Sequence, residues 1–302
     1  MKILITGASG LVGSALGEAL AGEGHTICRL VRPDSANDRG AGFGVAWNPA
    51  TGELGGAAVG ADAVVNLAGA SIAGGRWTNA RKKVLRDSRV DTTRALVGAL
   101  AKMAARPRVL ISASAVGYYG RRGDELLTEA STPGNDFLAS IAAEWEAEAR
   151  KAEALGIRVV LLRFGVILAR HGGALPQMMF PFRFGVGGKI GSGRQWMPWL
   201  TLDDAIAIIR FAVNNESVSG PLNAVAPQPM QNAEFTRVLA AVMHRPAIFP
   251  APAFALRILL GEMADALLLG SQRAVPAVLE KLGYSFLRPS LEPALQFILK
   301  KD

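Results

Sequence analysis

Three glycines near the N-terminus have the spacing of a phosphate-binding turn. Gly7, Gly10 and Gly13 follow the pattern G-x-x-G-x-x-G, between a short apolar run and a segment with helical periodicity. The first glycine permits a tight turn, the second lets the backbone approach a pyrophosphate, and the third lets helix and strand pack closely. The N–H groups that open such a helix, here near Leu11 and Val12, attract phosphates. These five residues therefore predict a dinucleotide site.

The end of the second apolar run favours NADP(H) over NAD(H). NAD-binding units usually place an acidic residue there, which accepts a hydrogen bond from the ribose 2′-hydroxyl. This chain has Val31 and Arg32 instead, and no Asp or Glu until Asp34. A guanidinium suits a 2′-phosphate. We therefore predict NADP(H), with a solvent-exposed cation at the strand end as the alternative interpretation of Arg32.

An α/β fold must position these residues. Short apolar runs alternate with helical patterns over the first two thirds of the chain, and runs this apolar are typical of parallel strands covered on both faces. The predicted fold is a Rossmann-type, doubly wound parallel sheet. Strands are predicted at residues 2–6, 26–32, 63–67, 108–112 and 158–162, and helices at 14–22, 89–105 and 141–155.

The pattern changes after about residue 170. Residues 172–199 are rich in Gly, Pro and aromatic residues and have little periodicity, which indicates a structured loop over a site. Residues 205–213, 232–243 and 253–269 have helical patterns. We predict a dinucleotide domain over residues 1–170, with a strand or helix returning to it around 200–225. Residues 171–302 are predicted to form a substrate lid and a smaller, mostly helical lobe.

Composition excludes several classes of function. The net charge of +8 comes from dispersed basic residues, without the aromatic interleaving of a nucleic-acid platform. One cysteine and three scattered histidines exclude a disulfide framework and make a metal centre improbable. No signal peptide pattern or membrane-spanning run is visible. We expect a cytoplasmic monomer or homodimer that acts on a small molecule, without nucleic acid, membrane or metal.

Further motifs accompany the glycine turn along nearly the whole chain. Together they resemble the atypical extended short-chain dehydrogenases/reductases, in the NAD(P)-dependent epimerase-like (sugar nucleotide epimerase-related) family with its characteristic C-terminal domain. The resemblance implies an NADP-dependent epimerase or reductase acting on a nucleotide sugar or another small anionic carbonyl compound. The motifs are Asn66-Leu67-Ala68-Gly69-Ala70, Arg76-Trp77-Thr78, Ser88-Arg89, the run Ser114 to Gly120, Trp145-Glu146, Gly172-Gly173-Ala174-Leu175, Pro181-Phe182-Arg183, Gly191 to Trp196, Asp203-Asp204, Asn223 to Pro227 and Asn232-Ala233-Glu234-Phe235.

The resemblance also implies cofactor contacts at the ends of the later strands. The successive strand ends are expected to contact the adenosine, the nicotinamide ribose and the nicotinamide amide. One arginine is expected to reach the cofactor from a helix. For two of the residues a plainer role stays open, because Leu67 can be core and Arg89 can lie on a helix surface. The residues are Leu67, Ala68, Gly69, Ser112, Ala113, Gly165, Val166 and Arg89.

The acid/base pair of the superfamily is missing. Ordinary members use a Ser, a Tyr and a Lys, with Tyr and Lys spaced four apart on one helical face. Ser114 matches the serine, but the expected tyrosine falls near Leu138 and the expected lysine near Ala142. Tyr118 or Tyr119 is the candidate substitute, unless the two rings only pack the loop. The missing pair also leaves open a catalytically silent NADP(H) sensor.

Other side chains are weaker candidates for chemistry. Glu144 or Glu146 can act as a base, although a structural salt bridge is the simpler role for each. On the substrate side, Arg183 and Arg194 can bind an anionic group and Trp196 can stack on a base or sugar. The alternative for these three is a glycine-rich cover held by aromatic packing.

Overall fold

A computed structural model describes residues 1–31 and 42–300 of the chain. The predicted Arg32 site lies outside the described residues. The strands are β1 (Lys2–Thr6), β2 (Thr26–Val31), β3 (Phe43–Asn48), β4 (Glu53–Leu54), β5 (Ala63–Asn66), β6 (Val109–Ala115), β7 (Leu126–Leu127), β8 (Arg158–Phe164), β9 (Val166–Leu168), β10 (Trp196–Met197), β11 (Trp199–Thr201), β12 (Gly220–Ala224), β13 (Met230–Gln231) and β14 (Arg273–Ala274). The helices are α1 (Leu11–Gly22), α2 (Asn79–Asp87), α3 (Val90–Ala101), α4 (Phe137–Arg150), α5 (Leu175–Arg183), α6 (Leu202–Asn214), α7 (Asn232–Met243), α8 (Ala253–Leu260), α9 (Ala277–Lys281) and α10 (Leu291–Leu299).

Among the described residues, eight strands form one sheet in the order β12-β8-β6-β5-β1-β2-β3-β4. Neighbouring strands are parallel, except for the antiparallel pair β3–β4. The chain leaves β1 toward β2 on one side and later returns to β5 on the other, so the connections reverse direction between β1 and β5. Ligands of open α/β sheets bind at such a reversal, outside the carboxyl ends of the strands. The predicted doubly wound fold is therefore confirmed.

Alternate residues of the central strands face two helical layers. Ile3 and Ile5 pack with α1 and α6, whereas Leu4 packs with α3 on the opposite face. All three side chains are fully buried. This burial on both faces explains why the strands have continuous apolar sequences. It also fixes the carboxyl ends of the strands as a rigid edge on which a site can be built.

The C-terminal part is mostly helical and has its own apolar core, built from α5, α7 and α10 around Phe182, Phe235 and Leu295. The helix predicted over residues 253–269 is wrong in its length. Helix α8 ends at Leu260, because the next residue, Gly261, has a φ of 61° that breaks the helix, and a π-helical turn follows at Ala264–Leu268. Among the described residues, no helix has both the length and the apolar character needed to cross a membrane.

Candidate functional site

A cleft of about 1100 Å³ lies at the reversal of the sheet, outside the carboxyl ends of β1, β2 and β5. Six of the predicted cofactor residues line it, and they come from three separate turns. Sequence reasoning missed a further wall of the cleft, at the end of β3, because that strand was not predicted. The predicted residues are Gly7, Gly10, Val31, Leu67, Ala68 and Gly69, and the missed wall is Trp47, Asn48, Pro49 and Ala50.

The glycine turn has no room for side chains. A Cβ on Gly7 would lie 2.6 Å from the Leu67 carbonyl oxygen, and a Cβ on Gly13 would lie 2.3 Å from the Gly7 oxygen. Gly7 also has a φ of +65°. Gly10 is the N-cap of α1 and offers no side-chain acceptor to the helix. The first N–H groups of a helix have no partner within the helix, so Leu11, Val12 and Gly13 can offer theirs to an anion.

A buried hydrogen-bond chain holds the second turn of the cleft. The Thr6 hydroxyl donates to Asn66 Oδ1 at 2.7 Å, and it accepts from the backbone N–H groups of Leu67 and Ala68. The Asn66 amide also donates to Ser112 Oγ at 3.2 Å. Ser112 is fully buried, so its hydroxyl supports the turn from below. Asn66 positions this wall from behind, and Thr6 also lines the cleft.

Arg89 lies beneath the same turn. Its guanidinium packs against Gly69, where a Cβ would lie 3.1 Å from Cζ, and it donates to the Ala70 and Leu85 carbonyls. Trp145 covers it at 5.5 Å from the ring centroid. No carboxylate pairs with it among the described residues. Burial lowers the pKa of Arg89 to about 10, so this wall of the cleft carries an uncompensated positive charge.

A second buried network occupies the carboxyl ends of β6, β8 and β12. Ser114 Oγ donates to Glu146 at 2.7 Å, and Arg163 forms a two-pronged pair with the same carboxylate, with both distances 2.8 Å. Arg163 also donates to the Tyr119 oxygen at 3.0 Å, and that hydroxyl donates to Asn223 at 2.6 Å. None of these side chains is more than 4% exposed. Although burial opposes the charge of Arg163, its bonds to Glu146 raise its pKa above the usual value.

The two tyrosines of the short turn Val116–Tyr119 differ in what they offer. Tyr119 is fully buried, and burial raises the pKa of its hydroxyl to about 12. Tyr118 is partly exposed, and its ring lies 3.5 Å from the Arg163 guanidinium carbon. Among the described residues, no hydrogen bond occupies the Tyr118 hydroxyl. The geometry therefore leaves Tyr118 able to meet a ligand, whereas Tyr119 is held within the network.

Helix α4 carries Leu138 and Ala142, the two positions at which the resemblance predicts the Tyr and Lys of the superfamily. A Cβ on Gly117 would lie 3.4 Å from the Leu138 Cβ, so the helix passes directly beside the tyrosine turn. Ala142 is buried one turn further on. The two candidate glutamates, Glu144 and Glu146, both form ion pairs. Glu144 pairs with Arg86 at the surface, and Glu146 pairs with Arg163 within the network.

Three predicted residues lie near the second network without exposing polar side chains. Ala113 is buried against Val90 and Trp145. Gly165 touches the next loop so closely that a Cβ would lie 2.6 Å from the Pro198 carbonyl oxygen. The N–H of Val166 donates to that same oxygen at 2.8 Å.

The three predicted substrate residues lie in different surroundings. Arg183 ends α5 and Arg194 lies in the loop before β10, both exposed to solvent. Trp196 donates from Nε1 to Asp124 at 2.8 Å, with the Arg273 guanidinium 4.6 Å from its ring centroid. No hydrogen bond or ring contact joins the three within the described residues. Trp196 thereby ties the C-terminal part to the loop that follows Tyr119.

This fold, with a glycine-lined cleft at the reversal of the sheet, defines a Rossmann-type nucleotide-binding protein. The sequence model of the NAD dependent epimerase/dehydratase family matches residues 3–224, and a domain of unknown function (DUF1731) matches residues 251–298. The chain therefore belongs to the NAD dependent epimerase/dehydratase family. The family and the C-terminal domain predicted from the motifs are both confirmed.

Relatives in several organisms cover the full length. An epimerase family protein of Mycobacterium leprae is 41% identical, with 98% of this chain and 94% of the relative covered. The epimerase family protein YfhF of Bacillus subtilis is 39% identical, with 99% and 98% covered. The human epimerase family protein SDR39U1 (isoform 2), solved with NADPH, is 34% identical at a TM-score of 0.88, and 99% of each chain is covered.

Proposed function

We propose that the chain binds NADP(H) in the cleft at the sheet reversal and uses it in an oxidoreductase or epimerase reaction. The observation that carries this proposal is the cradle formed by Gly7, Gly10 and Gly13, which a Cβ would fill and which α1 faces with unpaired N–H groups. The human relative solved with NADPH supports the choice of cofactor. A nicotinamide cofactor supplies hydride acceptance and donation when bound.

Arg89 supports the same proposal through its charge. A partly buried cation without a carboxylate partner is unfavourable unless an anion lies near it. Arg89 packs against Gly69, which lines the cleft. We assign to Arg89 the role of compensating the charge of a bound pyrophosphate through the thin backbone wall at Gly69.

Replacing Arg32 tests the preference for NADP(H). Arg32→Ala is expected to weaken NADPH binding by about 10- to 100-fold, because a charge-assisted bond to the 2′-phosphate is worth about 1.5–3 kcal/mol. NADH affinity should stay nearly unchanged, since NADH lacks that phosphate. Fluorescence titration with both cofactors measures the two affinities. The control is Lys102→Ala, which removes an exposed positive charge at the C-terminal end of α3. Equal losses of NADPH and NADH affinity in Arg32→Ala would contradict the assignment.

We assign the acid/base role to Tyr118. Its hydroxyl is free of hydrogen bonds within the described residues, and its ring is fixed on Arg163. Ser114 has a different role, because a serine hydroxyl has one proton and Ser114 directs it to Glu146. Its oxygen can therefore accept a hydrogen bond from a substrate hydroxyl. The substrate class that we propose is a nucleotide sugar or another small anionic carbonyl compound, with Arg183 and Arg194 meeting its charge.

A single-turnover experiment tests the reaction. Stoichiometric protein and NADPH are mixed with a panel of nucleotide sugars and small carbonyl compounds, and NADPH absorbance is followed. With a substrate found, Tyr118→Phe is expected to slow turnover by about 10²- to 10⁴-fold, as for loss of a general acid. Tyr119→Phe should slow it far less, because Tyr119 has no exposed surface. A rate unchanged in Tyr118→Phe would remove Tyr118 from the chemistry.

One observation favours a second function, a catalytically silent NADP(H) sensor. The expected acid/base pair falls near Leu138 and Ala142, which cannot transfer a proton, and the protons of Ser114 and Tyr119 are already engaged. Under this alternative, NADPH binds tightly and no member of the panel consumes it. Consumption of NADPH that depends on a substrate would exclude the sensor.

A further inference from the structure

A groove in the C-terminal part lies between α7 and the stretch that leads into α8, and the proposed function does not use it. Its volume is about 560 Å³. Small-molecule pockets range from about 300 to 1000 Å³, so the groove has the size for a small ligand. Among the described residues, none lines both this groove and the cofactor cleft. We call this cavity the α7 groove, and its lining includes Lys189, Thr236, Arg237, Ala240, Ala247 and Ile248.

One side of α7 forms the floor of the α7 groove. Four lining residues have the spacing i, i+3, i+4 and i+7, which places them on the same side of a helix. They are Ala233, Thr236, Arg237 and Ala240. Another side of α7 is anchored in the apolar core through Phe235. Because alanine and threonine are small, the exposed side of the helix leaves room for a ligand above it.

Backbone hydrogen bonds hold the walls of the groove together. The Phe249 N–H donates to the Gly187 carbonyl at 3.1 Å, and the Ala251 N–H donates to the Lys189 carbonyl at 2.9 Å. These bonds join the stretch that carries Lys189 to the stretch that carries Ile248. The cavity is therefore part of the fold and does not depend on one side-chain rotamer.

The Lys189 side chain is directed toward α7. A Cβ on Gly193 would lie 3.1 Å from Lys189 Cδ and 2.9 Å from Ala233 Cβ. The lysine stem therefore passes over Gly193, next to the first groove residue of α7. This contact brings the Lys189 ammonium to the same cavity as Arg237, although the two residues are far apart in the chain.

These two cations have no counter-ion. Lys189 and Arg237 are exposed, and neither side chain forms an ion pair or a hydrogen bond within the described residues. Glu234 precedes Arg237 by one turn of α7 but does not pair with it. No Asp or Glu lines the groove in the part of the chain that the structure describes. Two unpaired cations at one cavity attract an anion.

Thr236 adds a third polar group to the groove. It is 7% exposed, and its hydroxyl makes no hydrogen bond within residues 1–31 and 42–300. A buried hydroxyl without a partner is unfavourable, and a ligand oxygen in the groove can supply that partner. Apolar side chains such as Ala240, Ala247 and Ile248 make up much of the remaining lining.

We propose that the α7 groove binds a phosphate monoester that carries a small apolar group. A phosphate monoester has a charge of about −1.5 to −2 at pH 7, which matches the two cations, whereas a carboxylate would leave one of them unpaired. Arg237 can bind two phosphate oxygens, Lys189 adds a second positive charge, and the Thr236 hydroxyl can donate. The apolar group lies against Ile248. Since the groove is separate from the cofactor cleft, the proposal does not rest on NADP(H) binding.

Isothermal titration calorimetry of the full chain with phenyl phosphate tests this site. Phenyl phosphate is expected to bind about tenfold or more tightly than inorganic phosphate, because its ring leaves water, and more tightly than benzoate, which has a single charge. Arg237→Gln and Lys189→Gln are each expected to weaken phenyl phosphate binding by about tenfold or more, since each removes a charge-assisted contact. Both side chains are exposed, so neither change should lower the melting temperature.

Thr236→Val tests the buried donor. It keeps the shape of the side chain and removes the hydroxyl, so phenyl phosphate should bind about 3- to 10-fold more weakly. The hydroxyl has no protein partner to lose within the described residues, so the melting temperature should not fall. If all three groove variants bound phenyl phosphate like the wild type, the ligand would lie elsewhere and the proposal would be overturned.

Arg245→Gln is the matched control, because Arg245 is also exposed and forms no ion pair among the described residues, yet it does not line the groove. It removes the same charge as Arg237→Gln and should bind phenyl phosphate like the wild type. Equal losses in the two variants would reduce the effect to net charge and overturn the proposal. Failure of phenyl phosphate to bind, or binding no tighter than that of benzoate, would also overturn it.

Vesicles of phosphatidic acid distinguish the two sources of such a phosphate. Vesicle binding that phenyl phosphate displaces and that Arg237→Gln abolishes would place the phosphate monoester of the α7 groove on a lipid. Phenyl phosphate binding without vesicle binding would identify a soluble ester as the ligand.

Discussion

Replacing Glu146 with glutamine is expected to lower the free energy of unfolding by about 3–5 kcal/mol, because removal of one partner leaves a buried charge uncompensated. Arg163 is 2% exposed, and within the described residues it forms an ion pair with no other carboxylate. The glutamine oxygen can still accept from Ser114 and from Arg163 Nε, but the amide nitrogen cannot accept from the second Arg163 nitrogen. The loss therefore reports the missing negative charge together with one hydrogen bond. Denaturant unfolding, with the slope checked for two-state behaviour, measures it.

The same helix provides the control for this prediction. Glu144 lies two residues earlier and pairs with Arg86, but both side chains are more than a third exposed. Glu144→Gln should therefore lower the free energy of unfolding by less than about 1 kcal/mol. The double change Glu146→Leu with Arg163→Met should recover much of the loss, since it removes both buried charges. If Glu146→Gln and Glu144→Gln lowered the free energy of unfolding equally, burial of the Glu146 pair would not explain its contribution.

The Glu146 network connects stability to the site. It joins α4 to the ends of β6, β8 and β12, through Ser114, Arg163 and Asn223 respectively. Buried ion pairs are weak evidence for stability, but they hold their partners in one geometry when every bond is made. The stacking of Tyr118 on Arg163 extends that geometry to a tyrosine whose hydroxyl makes no hydrogen bond within the described residues. We infer that the network fixes the position of the Tyr118 ring.

Patterns along the sequence predicted the elements that depend mainly on residues close together in the chain. The first strand, the glycine turn and the helix after it follow from apolar runs and glycine spacing, and β1 has the predicted bounds. The helix predicted over residues 232–243 has its predicted bounds as α7. The assignment of the expected acid/base positions to Leu138 and Ala142 also comes from counting along the sequence, and it stays a prediction.

The rest depends on contacts between distant residues. The residues around Arg163 in the sequence are those of an ordinary strand end. The Tyr119 hydroxyl donates to Asn223, which lies 104 positions further along the chain. No spacing rule predicts such pairs. Strand β3 was missed because only its alternate residues Val45 and Trp47 are buried, so it lacks a continuous apolar run. The exposed state of α8 also contradicts its apolar composition, which by itself predicts burial.

Gly13→Ala is expected to weaken NADPH binding by about 100-fold or more, roughly 2.7 kcal/mol. The new Cβ would lie 2.3 Å from the Gly7 carbonyl oxygen and 2.8 Å from the Ala8 Cα, and both are backbone atoms that cannot rotate away. The turn and α1 must move apart, so the N–H groups of Leu11 and Val12 no longer meet the phosphates in one geometry. Overpacking of this kind should also cost about 1–3 kcal/mol of stability. NADPH fluorescence titration and denaturant unfolding measure the two effects.

Gly22→Ala, at the other end of α1, separates this cause from a general effect of alanine. No atom lies within 4 Å of the Cβ that it adds. Alanine favours a helix over glycine by about 0.5–1 kcal/mol, so this variant should bind NADPH normally and unfold no earlier than the wild type. If Gly13→Ala bound NADPH as tightly as Gly22→Ala does, the phosphates would not lie in this turn, and the cleft would need another occupant. Loss of affinity in Gly13→Ala alone would place the pyrophosphate at the N-terminus of α1, because the two substitutions differ only in what their methyl groups meet.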